Sequence, residues 1–405
     1  MSRLDDLIKE KCPNGVKVYT LGELGTFYGG LTGKSKNDFV DGNAKFITYK
    51  NVYSNPALCL DVEDRVKIAE GEKQRTLEYG DIVFTGSSET PDECGFSSVV
   101  TTKTDEKLYL NSFCFFFRLN NPESLLPDFA KHLFRSDNLR YQIGKTASGV
   151  TRFNVSKERM KSVKIPIPPL EVQSEIAQIL DNFAELTAEL TAELTAELSN
   201  REKQYKYYRD LLLNFDENEQ RAKYVLLGDC CKMIVGGDIP KDAFSKTESS
   251  DFHIPILSNG IGDNAIYGYT NRARVTDTCV TFSARGTIGY SALREKPFFP
   301  IVRLICAVPD INILTPKYLY YVSQTLTFQV PKSGIPQLTV PMLSKYKIPI
   351  PSLEEQNRIA QVLERFDKIT TDISEGLPAE IEAREKQYKY YRDKLLSFKE
   401  LAPNA

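Results

Sequence analysis

Catalysis needs nucleophiles, acid–base pairs, metal ligands or phosphate cradles at workable spacings, and this sequence offers few of them. GGLTGKS at 29–35 imitates a P-loop but is one residue short, with Tyr28 where the first glycine belongs. No G-x-G-x-x-G follows a strand-like run, as a dinucleotide or methyl-donor site requires, and G-x-S-x-G is absent. Pro91-Asp92 followed by Asp105-Glu106-Lys107 loosely mimics a metal-dependent nuclease pattern, of a kind that chance often supplies. His132 and His253, the only histidines, stand in no triad-like or metal-like context. The eight cysteines form no C-x-x-C pair, so the usual zinc spacing is missing, and their scatter does not suit a secreted disulfide framework. They read as reduced, buried thiols. These absences point to a chain that recognises something and leaves the reactions to others.

The elements that would position a recognition surface show themselves as a repeat. KIPIPPLEVQ at 164–173 returns as KIPIPSLEEQ at 347–356, and REKQYKYYRDLLLNF at 201–215 returns as REKQYKYYRDKLLSF at 384–398. Both pairs are offset by 183 residues, so the intervening stretch keeps its length, as a rigid element with fixed ends requires. That stretch has no Gly or Pro in the first copy, and residues 170–215 predict a helix of roughly 69 Å at ~1.5 Å per residue. Three tandem TAEL units occupy 187–198 and set Leu186, Leu190, Leu194 and Leu198 four residues apart. The second copy keeps Ile369, Ile373, Leu377 and Ile381 at the same places, while Gly376 and Pro378 predict a kink or break. Ser352 with Glu355 predicts a capping box at the second start. Tyr205, Tyr208 and Leu212, like Tyr388, Tyr391 and Leu395, fall at i, i+3 and i+7 and predict a packing face.

The regions before each copy diverge. They share a strand-like opening, Leu-Gly, then Gly-Gly and Lys, in 17–34 and 223–241. Runs such as GDIVFTG, NSFCFFFRL, CVTFSARG and FPIVRLICAV read as strands, and LLPDFAKHLFRSDNLRYQI and LTPKYLYYVSQTLTF as helices. The expected class is α+β: two mixed domains joined by two long antiparallel helices, a dumbbell with a pseudo-twofold axis. Its segments are 1–165, the helix 166–220, 221–348 and the helix 349–405.

Charge then becomes informative. The chain of 405 residues balances 52 Lys+Arg against 54 Asp+Glu. Yet residues 131–164 hold nine Lys/Arg against Asp137 and Glu158, and 268–347 hold ten against Asp277, Glu295 and Asp310. One basic patch per domain is the footprint of a bipartite polyanion binder. Ordinary composition excludes global disorder and collagen-like classes. No apolar run nears a membrane span, and the charged start MSRLDDLIKEK leads us to expect a cytoplasmic protein.

The duplicated KIPIPPLEVQ…REKQYKYYRD segment behind two divergent domains resembles the DNA-specificity subunit of type I restriction–modification enzymes, and the tandem TAEL resembles its IC branch. The resemblance implies two target recognition domains on double-stranded DNA, with the helices Leu186–Leu198 and Ile369–Ile381 as spacer. It implies two methyltransferase subunits and two motor-nuclease subunits as partners. No cofactor or metal is implied on this chain; S-adenosylmethionine and ATP/Mg would sit on the partners. SARGTIG (Ser283, Arg285, Thr287) and SNG (Ser258, Asn259) resemble recurrent family loops. The first domain departs, reading TYKN (Lys50, Asn51) and TGSSE (Thr85, Gly86, Ser87) at the matching places. The remaining loop candidates are Lys145, Ser148, Thr151, Arg152, Lys332, Ser333 and Gln337. Arg285 is expected on a guanine, Asn51 or Asn259 on an adenine, and Lys145, Arg152 and Lys332 on phosphates. The rivals are a metal-dependent nuclease using Asp92 and Asp105, and a helical scaffold without DNA specificity.

Overall fold

The computed structural model describes residues 3–215, 221–330, 336–371 and 376–401. Lys332, Ser333 and Ile373 lie outside the described residues. The chain divides into two compact units, Met1–Ala192 with Glu382–Ala405, and Glu193–Ile381.

In the first unit the run FCFFF supplies the central strand. Cys114–Leu119 pairs with Gly25–Gly29 on one side and Ile82–Thr85 on the other, and Ser97–Val99 completes an antiparallel sheet of four. Successive side chains of a strand point to opposite faces, so an unbroken apolar run suits a strand covered on both. Phe115 and Phe117 enter one cluster, with Phe129, Leu133, Val172, Ile176 and Leu180, while Cys114 and Phe116 enter another, with Ile47, Val52 and Val83. Ala44–Ile47 lies between Arg65–Val66 and a parallel neighbour, Tyr109–Leu110.

The second unit repeats this plan with other residues. Leu304–Pro309 lies between Cys231–Val235 and Cys279–Ser283, with Ser291–Arg294 at the edge. Ile254–Leu257 pairs with Ile266–Thr270 and, in parallel, with Phe299–Pro300. Each unit is closed by a two-stranded ribbon, Lys17–Thr20 with Lys164–Ile167 and Lys223–Leu226 with Lys347–Ile350. The Gly-Gly correspondence shifts by one residue from the sequence reading. Gly30 and Gly236 are equivalent; a Cβ would come within 2.2 Å of the Asn111 carbonyl at one and 1.9 Å of the Ile301 carbonyl at the other.

The expected long helix runs from Leu170 to Leu213, 44 residues or ~66 Å. Its start (Val172, Ile176, Ala177, Leu180) lies in the core of the first unit, and Leu213 lies in that of the second. The repeat reverses this allocation. Ile359, Ala360 and Leu363 lie in the second core and Leu396 in the first. In the second copy the described residues form the helices Leu353–Thr371 and Leu377–Leu395. Pro378 falls in the first turn of the latter, where a missing N–H costs nothing.

Two local expectations need correction. Leu186 is 62% exposed and Ile369 43% exposed, whereas Leu190, Leu194, Leu198, Leu377 and Ile381 are half-buried. A four-residue repeat drifts about 40° per step on a helix of 3.6 residues per turn, so the leucines cannot all share one face. The capping box is half made: the Ser352 hydroxyl accepts from the Glu355 N–H at 3.3 Å, but the Glu355 carboxylate binds Arg358 at 2.7 Å.

Candidate nucleic-acid interface

The loops that leave the sheets carry the candidates. In the second unit, strand Cys279–Ser283 runs into a turn closed by Gly289 N–H to the Ser283 carbonyl (2.9 Å) and Tyr290 N–H to the Thr287 carbonyl (3.0 Å). Gly286 takes φ +73° there, a conformation glycine adopts freely. Asn259 fastens this turn to the neighbouring loop. Its carbonyl accepts from the Ser283 and Thr287 hydroxyls at 3.1 Å each, and its side-chain amide donates to the Arg285 carbonyl at 2.7 Å. Ser258 N–H donates to the Ala265 carbonyl at 2.8 Å. Arg285 is half-buried, and its Nε has no hydrogen-bond partner among the described residues. Gln337 is exposed beside Leu338, whose N–H donates to the Ala284 carbonyl.

In the first unit Ser87–Ser88 pairs with a hairpin, Ala147–Ser148 and Phe153–Val155. The hairpin tip brings Arg152 to Ser87, whose hydroxyl accepts from Nε at 3.1 Å and Nη2 at 2.9 Å. Ser148, Thr151, Lys145 and Lys50 are exposed. A bowl of about 560 Å³ opens beside Arg152, lined by Tyr49, Tyr53, Ser87, Glu93 and Phe113 among others. Phe113 is 59% exposed at its rim. Hydrogen bonds from Thr90, Tyr53 and Ser88 hold the Glu93 carboxyl below its usual range, so the bowl carries a negative as well as a positive charge.

Residues 13–200 and again 220–383 match the family described as the type I restriction modification DNA specificity domain. The chain belongs to that family. It is 38% identical over 305 residues to a protein of Mycoplasma pneumoniae named as a type I specificity subunit, covering 72% of this chain and 88% of the relative. It is 35% identical to the specificity subunit of the type I restriction enzymes EcoR124I/EcoR124II of Escherichia coli, over 60% of this chain and 65% of that one. A chain of a type I R-M system matches the fold with a TM-score of 0.71 at 19% identity, covering 95% of this chain and 98% of that one. The HsdS subunit of Thermoanaerobacter tengcongensis matches with 0.56 at 19% identity, covering 95% and 96%.

For a specificity subunit, which is the non-catalytic member of its system, the fate of each candidate side chain matters. Three turn inward. The Asn51 amide donates to the Cys59 carbonyl (2.8 Å) and accepts from the Cys59 N–H (3.1 Å) and the Asn55 amide (3.0 Å). Thr85 is fully buried, with its hydroxyl accepting from the Phe96 N–H at 2.9 Å. Gly86 admits close approach: a Cβ would meet the Phe113 carbonyl at 2.6 Å. The basic patch of the first unit is thinner than its sequence. Arg135 and Arg140 are spent on backbone carbonyls of 52–53, 92, 94–95 and 97 and lie over the Phe96 ring, with burial lowering both pKa values to about 10. Lys131 pairs with Asp128 and Asp181.

The catalytic imitations dissolve likewise. Lys34 of the P-loop-like stretch is held by Glu72 and the Lys67 carbonyl, each at 2.6 Å. Glu106 of the nuclease-like pattern pairs with Lys45 at 2.6 Å. No group of three or more His, Cys, Asp or Glu among the described residues is arranged to hold a metal. No helix among them is long and apolar enough to cross a membrane.

Sequence reasoning missed the joints between domain and helix. Gln173, fully buried, accepts from the Leu126 N–H (2.8 Å) and donates to the Ser124 (3.0 Å) and Pro168 (2.7 Å) carbonyls. Gln356 does the same with Thr315 N–H (2.8 Å) and the Ile313 (2.8 Å) and Pro351 (3.0 Å) carbonyls. The signal was visible: both are the invariant last residue of the repeated KIPIPPLEVQ and KIPIPSLEEQ segments.

Proposed function

We propose that this specificity subunit reads a two-part double-stranded DNA site in the cytoplasm, one half per recognition domain, and directs two methyltransferase and two ATP-driven motor-nuclease subunits to it. One observation carries the reading. Both units keep the same order and pairing in their four-stranded sheet, their mixed three-stranded sheet and their closing ribbon, and the same glutamine joint to a duplicated helix, while their loop sequences diverge. That is how a scaffold presents two different readers in the same setting. Residues 1–165 and 221–348 are the readers; 166–220 and 349–405 are the spacer and the seat for partner subunits. S-adenosylmethionine and ATP/Mg belong to those partners.

Within the readers, the inward-turned side chains of Asn51, Thr85 and Asn259 shape the loops. Lys50, Lys145, Ser148, Thr151 and Gln337 are the exposed groups available to the DNA backbone, with Lys332 and Ser333 assigned to the same role from sequence. Phosphate contacts of this kind weaken steeply as salt rises.

The TAEL run acts as a ruler. Four helical residues add ~6 Å and turn the far end about 40° beyond a full turn, while one base pair turns roughly 34–36°. Removing one TAEL shortens the preferred spacer by about one base pair and leaves both half-sites unchanged. Selection from random DNA, with the full chain assembled on its methyltransferase subunits, checks this. An unchanged spacer or altered half-site bases would refute the ruler.

A further inference from the structure

The two recognition domains share little sequence, yet strand pairing sets them in register. Ile82 pairs with Phe117 and Phe84 with Phe115; Val280 pairs with Ala307 and Phe282 with Ile305. The next steps agree as well. Gly86 N–H donates to the Phe113 carbonyl and Val155 N–H to the Gly86 carbonyl; Ala284 N–H donates to the Arg303 carbonyl and Leu338 N–H to the Ala284 carbonyl. Gly86 therefore occupies the place of Ala284, and Ser87 the place of Arg285. Ser87 is also the residue that receives the Arg152 guanidinium. Each domain thus brings an arginine to the same backbone position of its fold, as Arg285 itself in one and as Arg152, bonded to Ser87 from the hairpin, in the other.

We propose that Arg152 and Arg285 are the base-reading residues of the two half-sites, each set on a guanine. This rests on the DNA-specificity reading above and assigns its contacts. A guanidinium has five N–H donors in a rigid fork. Ser87 occupies Nε and one hydrogen of Nη2, which leaves the end-on pair of Nη1 and Nη2 to meet two acceptors. Guanine presents such a pair, N7 and O6, in the major groove. Arg285 is held through its backbone by Asn259, in a turn that Ser283 and Thr287 brace, and its buried Nε has no partner among the described residues. Arg152 is held through its side chain by Ser87 and Arg285 through its backbone by Asn259, and a fixed aim serves a base contact more than a phosphate contact. Arg152 moves by this argument from the phosphate role expected of its sequence to a base-reading role, with Ser87 as its positioning residue.

Lysine separates the two roles, because it keeps the charge and loses the fork. The test uses the full chain assembled with its methyltransferase subunits on the site selected by the unaltered protein. Arg152→Lys and Arg152→Ala should each lower discrimination at one base pair of one half-site by about 5- to 150-fold. Arg285→Lys and Arg285→Ala should do so in the other half-site alone, and Ser87→Ala should relax the same base pair as Arg152→Lys. Unfolding midpoints matching the unaltered protein show that the variants fold. Lysine variants that retain full selectivity, or alanine variants that weaken all sequences equally with a shallower salt dependence, would mark phosphate clamps and overturn the proposal. An unaltered complex that selects no sequence at all would instead refute the specificity reading beneath it.

Discussion

The two units join their domain to the repeated helix with the same glutamine and then diverge within two turns. Six residues beyond the amide that Gln173 holds stands His132; six beyond the amide that Gln356 holds stands Tyr321. His132 lies between Asp181 (2.6 Å from Nε2) and the Tyr388 hydroxyl (3.3 Å from Nδ1), and the Lys131 ammonium also pairs with Asp181. In the other unit Tyr321 reaches Asp367 at 3.5 Å, and Tyr205, the counterpart of Tyr388, bonds Gln324 at 2.9 Å. The aromatic seam differs in the same sense. Phe183 meets both Tyr388 and Tyr391, whereas its counterpart Phe366 is stacked on Tyr208. The helix keeps the glutamine and the phenylalanine, while its acids stand at different places, Asp181 aligning with Glu364 and Asp367 with Ala184, and the domain supplies what completes each joint. A joint built this way lets domains vary without renegotiating the scaffold.

The largest expected effect tests the shared part of the joint. Gln173→Ala and Gln356→Ala each strand a buried N–H and two carbonyls. Each should destabilise its own unit by about 3 kcal/mol, read as the denaturant midpoint of that unit by hydrogen exchange. Unequal losses would mean the two clamps are not equivalent. Next comes the seam: Phe183→Leu should cost about 1 kcal/mol more than Phe366→Leu, because one more ring pair is lost. Equal costs would erase that contrast.

Acid should then separate the units. Burial alone would raise the Asp181 pKa, but hydrogen bonds from His132 and Lys131 outweigh it and hold the carboxyl below its usual range. Its contribution is present above the ordinary carboxylate pKa of ~3.9 and is lost as pH falls through the lowered folded value. Burial pushes the Asp367 carboxyl up, and Tyr321 only partly offsets it. That contribution has the opposite sign: present at low pH and lost as pH rises through the raised folded value. Between pH 7 and pH 3 the first unit should lose stability relative to the second, and Asp181→Asn should remove most of its acid loss. Parallel pH profiles of the two units would count against this. The smallest effect belongs to Lys34→Ala, which should leave DNA selection untouched, since Lys34 serves Glu72 and not a phosphate.

Much of this plan was legible because repetition and periodicity carry it. The 183-residue offset marked the helices, and NSFCFFFRL marked a strand, whose burial on both faces the structure added. The leucine stripe misled because spacing by four looks regular in sequence but winds around a helix. Asn51 and Asn259 looked like base readers because an amide can read adenine. Only their neighbours show those amides already committed to Cys59 and Arg285. The equivalence of Arg152 and Arg285 was hidden for a related reason. It is a coincidence of place, reached from a hairpin in one domain and a turn in the other, and no alignment of residue types records it.

The first unit draws its last helix, and the strand contact of Val16 with Glu400, from the far end of the chain. The second unit is contiguous, Glu193–Ile381. On a ribosome moving at ~5–20 residues per second, the domain made first must therefore wait for Glu382 and the residues after it, which follow the whole of the second unit. The second domain closes before the first can. During that interval Phe183 lacks Tyr388 and Tyr391, and His132 lacks the Tyr388 hydroxyl, so a stalled chain ending before Glu382 should show a protease-resistant second unit attached to a sensitive first one.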